Sequence, residues 1–127
     1  MIQLQSKIKI TDNSGVLIGK TIKILKPKDG KVAIVGDLIL ISSQVQATHS
    51  GIKTGSIFKA IIVRTKKQEH LISSSLKWDE NAAVLVKLSP KGDEYLPIGT
   101  RIKSPISASL KFKRGFQKII SLAKTYV

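Results

Sequence analysis

The stretch AIIVRTKK, residues 60–67, runs from four apolar residues straight into three cations, with only Thr65 among them. Four consecutive apolar residues read as a buried strand, and such a strand needs no more than a polar turn at its end. Three cations within four residues exceed that need. The strand reads as core that carries positive charge to its own terminus, which raises the matter of what receives the charge.

Outward from this strand, alternation dominates the first two thirds of the chain. KIKIT (7–11) sets Ile8 and Ile10 on one face and Lys7, Lys9 and Thr11 on the other. TIKIL (21–25) repeats the apolar-cationic alternation. KVAIV and LILIS flank Gly36-Asp37 and predict two strand halves with a bend at the glycine. SIFKAIIVRT predicts a long strand starting near Ile57, NAAVLVKL (81–88) the next, and TRIKSPI a short final strand ended by Pro105. DNSG (12–15), PKDG (27–30) and PKGDE (90–94) have the chemistry of turns. The tail changes period. Phe116, Ile119, Ile120 and Ala123 stand at i, i+3, i+4 and i+7, which predicts an amphipathic helix, and residues 107–114 predict a shorter one before Gly115. Closely spaced strands of this kind close into a small barrel, which removes exposed edges. The expected fold is mainly β: a single domain over residues 1–127, a small five-stranded β-barrel with short C-terminal α-helices at about residues 107–124.

The chain is 127 residues long, and 42% of them are hydrophobic, so it can bury a real core. Lys and Arg number 22 against 8 Asp and Glu, a formal net charge of +14. So much like charge on a small domain is tolerable when a polyanion neutralises it. No acid follows Glu94, whereas Arg101, Lys103, Lys111, Lys113, Arg114, Lys118 and Lys124 all do. Among residues 19–35 the only acid is Asp29, beside Lys20, Lys23, Lys26, Lys28 and Lys31. Surfaces built for solubility alone intersperse both signs. Lysine supplies 19 of the 22 cations and isoleucine also occurs 19 times, a skew that fits an AT-rich coding genome.

The enzyme classes find no residues to work with. There is no cysteine, which excludes disulfides, thiolate metal sites and thiol nucleophiles. His49 and His70 lie in loop-like sequence without ligand spacing, and no glycine pattern forms a dinucleotide-binding or phosphate loop. No cofactor, metal or catalytic residue is expected. The opening MIQLQSKIKI lacks a signal-peptide core, and LILI (38–41) is far too short to span a bilayer, so a soluble protein with no membrane partner is expected. Nucleic acid is the first candidate to neutralise the charge, ahead of an anionic membrane surface. Single-strand binders stack bases on exposed aromatics, and here only Trp78, Tyr95 and Tyr126 are candidate platforms. Recognition of folded RNA by backbone and shape fits better.

Six segments occurring in order, DNSG, VGD (35–37), KAIIVRTKK (59–67), DENAAVL (79–85), PIGTRI (97–102) and KIISLA (118–123), resemble the universal large-subunit ribosomal protein fourteen family, of bacterial type. The resemblance spans nearly the whole chain. It implies a five-stranded barrel bound to large-subunit rRNA, with RTKK presented to the RNA. The rRNA-binding set it implies, together with the basic strand faces, is Lys7, Lys9, Asn13, Ser14, Lys20, Lys23, Lys53, Arg64, Lys66 and Lys67. It also implies an intersubunit face at Thr100, Arg101, Lys103 and Lys118, bridging to small-subunit rRNA, touching a neighbouring large-subunit protein and open to a ribosome-silencing factor. The sequence departs from the family's common pattern at VLIGK after DNSG, at QEHLISSS after RTKK, and at Trp78 and Glu80, where phenylalanine or tyrosine and glycine are commoner. Such drift suits a mitochondrial ribosome in the matrix; the alternatives are the cytoplasm of an AT-rich bacterium and the plastid stroma. The competing function is a free-standing, OB-like barrel that binds RNA outside the ribosome.

Overall fold

The computed structural model describes residues 2–26, 32–66, 78, 80–90, 92, 94–108, 110 and 115–123. The turn expected at 27–30, Lys67, the loop at 68–75, Tyr126 and most of the helix expected over 107–114 lie outside them.

Eight strands and one helix are present among the described residues: β1 (Ile2–Gln3), β2 (Lys7–Ile10), β3 (Val16–Lys26), β4 (Val32–Ala33), β5 (Leu38–Gln46), β6 (Ile57–Arg64), β7 (Ala82–Leu88), β8 (Tyr95–Pro97) and α1 (Gln117–Leu122). The main sheet has the order β2-β3-β5-β6-β7-β8 with antiparallel neighbours. A parallel pairing of Lys9 with Ala82 and Ile10 with Ala83 joins β2 to the first half of β7. Five strands thus close into a barrel, and β8 takes the remaining half of β7 through Val86 to Leu88. Closure leaves the five barrel strands without a long free edge.

Alternation sets the core. Ile8 and Ile10 of β2 are buried and Lys7 and Lys9 exposed. Thr11, expected to continue the outward face, is only 2% exposed, because the chain turns inward there and its N–H reaches Ala83 O. β3 is long and irregular. Its pairing with β5 shifts register between Thr21 and Lys23, so Thr21 and Ile24 are buried while Ile22 is turned out. A bulge moves a side chain to the opposite face, which the plain alternation of TIKIL could not reveal. The bend at Gly36 occurs as expected, with φ +91, but the two halves part company. β4 pairs with β1 in a two-stranded ribbon, and Ile2, Ala33 and Val35 from this region join the core.

TRIKSPI forms no strand. Ile102, 1% exposed, makes isolated bridges to Asp12 and Ala123, and side-chain clamps described below replace a ladder. α1 is the one α-helix among the described residues. It has no side-chain cap, and six residues cannot sustain a helix alone. Packing holds it: Phe116 and Ile119 are buried, and Ile120 and Ala123 lie partly buried against the core. Phe116 also stacks on Tyr95, ring centroids 5.2 Å apart.

Candidate nucleic-acid interface

The barrel wall gathers lysines that are distant in sequence. Lys7 of β2 and Lys20 of β3 are direct cross-strand partners. Ile8 points into the core beside them, so both lysines lie on the outer face. Lys23 pairs with Leu40, which pairs in turn with Lys59, extending the basic wall across β3, β5 and β6. Like charges directly opposite each other destabilise a sheet. Their placement here therefore argues for an external counter-charge.

At the parallel seam between β2 and β7 the wall becomes concave. Lys7, Lys9, Lys66 and Lys103 line a groove of about 600 Å³. Lys103, expected on the intersubunit face with Arg101, stands beside the β2 lysines. Its N–H donates to Thr11 O at 2.7 Å, which fixes the later segment against the barrel.

The cluster RTKK is divided. Arg64 is 6% exposed and Thr65 is buried, whereas Lys66 is exposed. The Arg64 guanidinium donates through Nη2 to Glu80 Oε1 at 2.6 Å and through Nη1 to Pro105 O at 3.0 Å. It lies 5.6 Å from the centre of the Trp78 ring. Arg64, expected to be presented to RNA, is thus engaged within the fold. The segment around Ile106 and Leu110 covers the end of β6, with Ser107 N–H bonded to Val63 O, and a cation covered in this way requires an internal acid. Glu80 supplies it, and also reaches Lys9 at 3.3 Å.

DNSG proves to be a clamp as well as a turn. Asp12 Oδ1 accepts from Ser14 Oγ at 2.6 Å and Ser14 N at 3.2 Å, while Oδ2 accepts from Leu85 N at 3.1 Å. Burial pushes the Asp12 carboxyl up from its ordinary pKa, and the bonds from Ser14 and Leu85 offset part of that rise. Asn13 Oδ1 accepts from Thr100 N at 2.8 Å and Arg101 N at 3.0 Å, and Asn13 Nδ2 donates to Thr100 Oγ1 at 2.8 Å. A Cβ on Gly99 would meet Asn13 Oδ1 at 2.7 Å, so the close approach uses the glycine. Asn13 and Ser14, expected to touch RNA, both bond within the fold: Ser14 to Asp12, and Asn13 to Thr100 and Arg101, which it holds in an exposed turn. The sequence carried half of this signal, the turn chemistry of DNSG; its partner some 87 residues away had none.

Two expected residues lie away from the groove. Lys53 sits in the β5–β6 loop, where its carbonyl accepts from Ser43 and Ser56 hydroxyls. Lys118 is on α1, with Nζ 4.0 Å from Glu94.

The family model described as ribosomal protein L14p/L23e matches residues 1–127. The chain belongs to this family. A protein of Petrotoga mobilis, "Large ribosomal subunit protein uL14", is 37% identical over 125 residues, covering 98% of each chain. The L14p/L23e family is one of ribosomal structural proteins and not of enzymes. Among the described residues no three of His, Cys, Asp and Glu gather as a metal site, and no helix is long and apolar enough to cross a membrane.

Proposed function

We propose that this chain is a structural constituent of the large ribosomal subunit, binding large-subunit rRNA through its lysine wall and the groove at the β2–β7 seam. Family membership and the named relative support the ribosomal role. The observation that carries RNA binding is the gathering of Lys7, Lys9, Lys66 and Lys103 around one groove, beside the opposed pair Lys7 and Lys20. Ammonium groups in such a cluster match phosphates as point charges and read no sequence.

The exposed turn at Thr100 and Arg101, with Lys118 on α1, forms the face offered to small-subunit rRNA at an intersubunit bridge. The same face would meet a neighbouring large-subunit protein or a ribosome-silencing factor. The site of action is the mitochondrial matrix, a reading motivated by the Lys and Ile bias and by the departures at Trp78 and Glu80. A free-standing single-strand binder is disfavoured by the aromatics: Tyr95 stacks on Phe116, and Arg64 lies against Trp78.

Titrating large-subunit rRNA at several salt concentrations tests the binding surface. Replacing Lys7, Lys20 and Lys66 by alanine is expected to lower the salt slope by about 1 per lysine. An unchanged slope would mean these lysines are solvated surface.

A further inference from the structure

The seam groove contains more than charge. Besides the lysines it is lined by Leu17 and Ile18, and by the polar groups of Thr11, Asn81 and Ser104. Thr11 is 2% exposed, yet its Oγ1 has no hydrogen-bond partner within the protein. With almost no accessible surface, that hydroxyl is a cost within the fold and offers the groove no contact. Glu80 is the one acid lining the groove among the described residues, and it already holds Lys9 and the buried Arg64. The balance left at the rim is cationic, from Lys7, Lys66 and Lys103.

A site for duplex backbone alone needs no apolar wall. The combination of a concave apolar wall, convergent polar atoms and a cationic rim suits a small amphipathic anion. We propose that the groove seats one unstacked nucleotide of the bound RNA, its base against Leu17 and Ile18, its polar edge toward Asn81 and Ser104, and its phosphates among Lys7, Lys66 and Lys103. This rests on the RNA-binding reading above and deepens it. The volume of about 600 Å³ lies within the roughly 300–1,000 Å³ of small-molecule sites. A stacked base cannot enter such a recess; a base splayed from a loop or bulge can. The polar groups of Asn81 and Ser104 favour a heteroaromatic edge over an alkyl chain. The groove thereby adds selection for an unstacked nucleotide to a wall that otherwise binds phosphate without discrimination.

The test follows the methyl signals of Leu17 and Ile18 and the amides of residues 7–11 by NMR on the isotopically labelled full chain. The probes are the four ribonucleoside 5′-monophosphates, ribose 5-phosphate and inorganic phosphate. At least one nucleotide is expected to shift the Leu17 and Ile18 methyls together with the β2 amides, while the two base-free probes leave the methyls in place. Lys103→Ala, at an exposed position of the groove, should keep the fold and weaken that nucleotide several-fold. Leu17→Ser, at an exposed position, should keep the fold and lose the base-dependent shifts. Identical maps for probes with and without a base, or undiminished nucleotide binding by both variants, would overturn the proposal. Large-subunit rRNA is titrated into the same samples. Salt-dependent rRNA binding alongside base-blind maps overturns only the nucleotide groove, and absence of rRNA binding overturns the reading beneath it.

Discussion

Lys7 and Lys20 stand directly opposite each other across the antiparallel β2–β3 pair, both on the outer wall of the barrel. Their repulsion is a standing cost in the free protein and an asset when phosphate lies over them. Lys20→Glu should therefore stabilise the RNA-free protein by roughly 0.2–1 kcal/mol. Thermal unfolding checks this. The gain should shrink as salt is added, because exposed charges are screened, and RNA binding should weaken in the same variant.

Arg64 and Lys66, two residues apart, should respond oppositely to removal. Lys66→Ala should leave stability unchanged and lower the salt slope of rRNA binding by about 1. Arg64→Met should leave the slope unchanged. Glu80→Gln, which weakens the partner of a buried guanidinium, should destabilise the fold by about 1–3 kcal/mol. This is less than the roughly 3–5 kcal/mol of a fully buried pair, because the Glu80 side chain is 40% exposed and partly screened. Chemical denaturation of the three variants, paired with salt titrations, separates the two roles.

Asp12 gives the stability profile an unusual sign. Its folded-state pKa is raised above the ordinary 3.8, mainly by burial, so the folded protein holds this proton to higher pH than the unfolded chain. Where the native state binds more protons, stability falls as pH rises. The stability of wild type relative to Asp12→Asn should therefore be greatest below about pH 3.8, fall as pH rises through the raised folded pKa, and then level out. Urea denaturation across acidic to neutral pH measures this difference; a flat difference would contradict it.

α1 should depend on Ile119 more than on its neighbour. Ile119 is fully buried, and Ile119→Ala should cost about 2–5 kcal/mol in the RNA-free protein. Ile120 is only partly buried, so Ile120→Ala should cost less. Thermal unfolding of both variants without RNA would show the order, and equal melting temperatures for wild type and Ile119→Ala would mean that the helix is not held by packing.

The exposed turn and the helix should act on subunit joining. Arg101→Glu with Lys118→Glu should still enter large subunits but join small subunits less well, most steeply at low salt, since rim charges act on encounter. Gradient profiles of reconstituted subunits provide the measurement. Exclusion of the variant from large subunits would instead put both residues against large-subunit RNA.

The barrel was legible because its signals are local. KIKI alternates, β6 and β7 are apolar runs of strand length, and Gly36 marks its own bend. The period change at Phe116 and Ile119 likewise announced α1. What escaped reading depended on partners far along the chain. Ile22 turns outward because of a bulge against β5, and no residue in TIKIL encodes that bulge alone. Arg64 looked like a surface cation because the residues that cover and pair it, Pro105 and Glu80, lie 41 and 16 positions away. The part Asn13 plays in joining DNSG to the later turn escaped for the same reason, its partners being Thr100 and Arg101. Lys7, Lys9 and Lys20 could be read as one basic face from pattern alone, whereas the arrival of Lys103 in that group needed the fold.

Sedimentation of extract from the source cell or organelle on a gradient, before and after RNase treatment, with this chain followed by antibody, tests the central claim most directly. The account predicts that the chain travels with the large subunit in untreated extract and moves to the top once the RNA is digested. Recovery at the top of the gradient in both cases would contradict it.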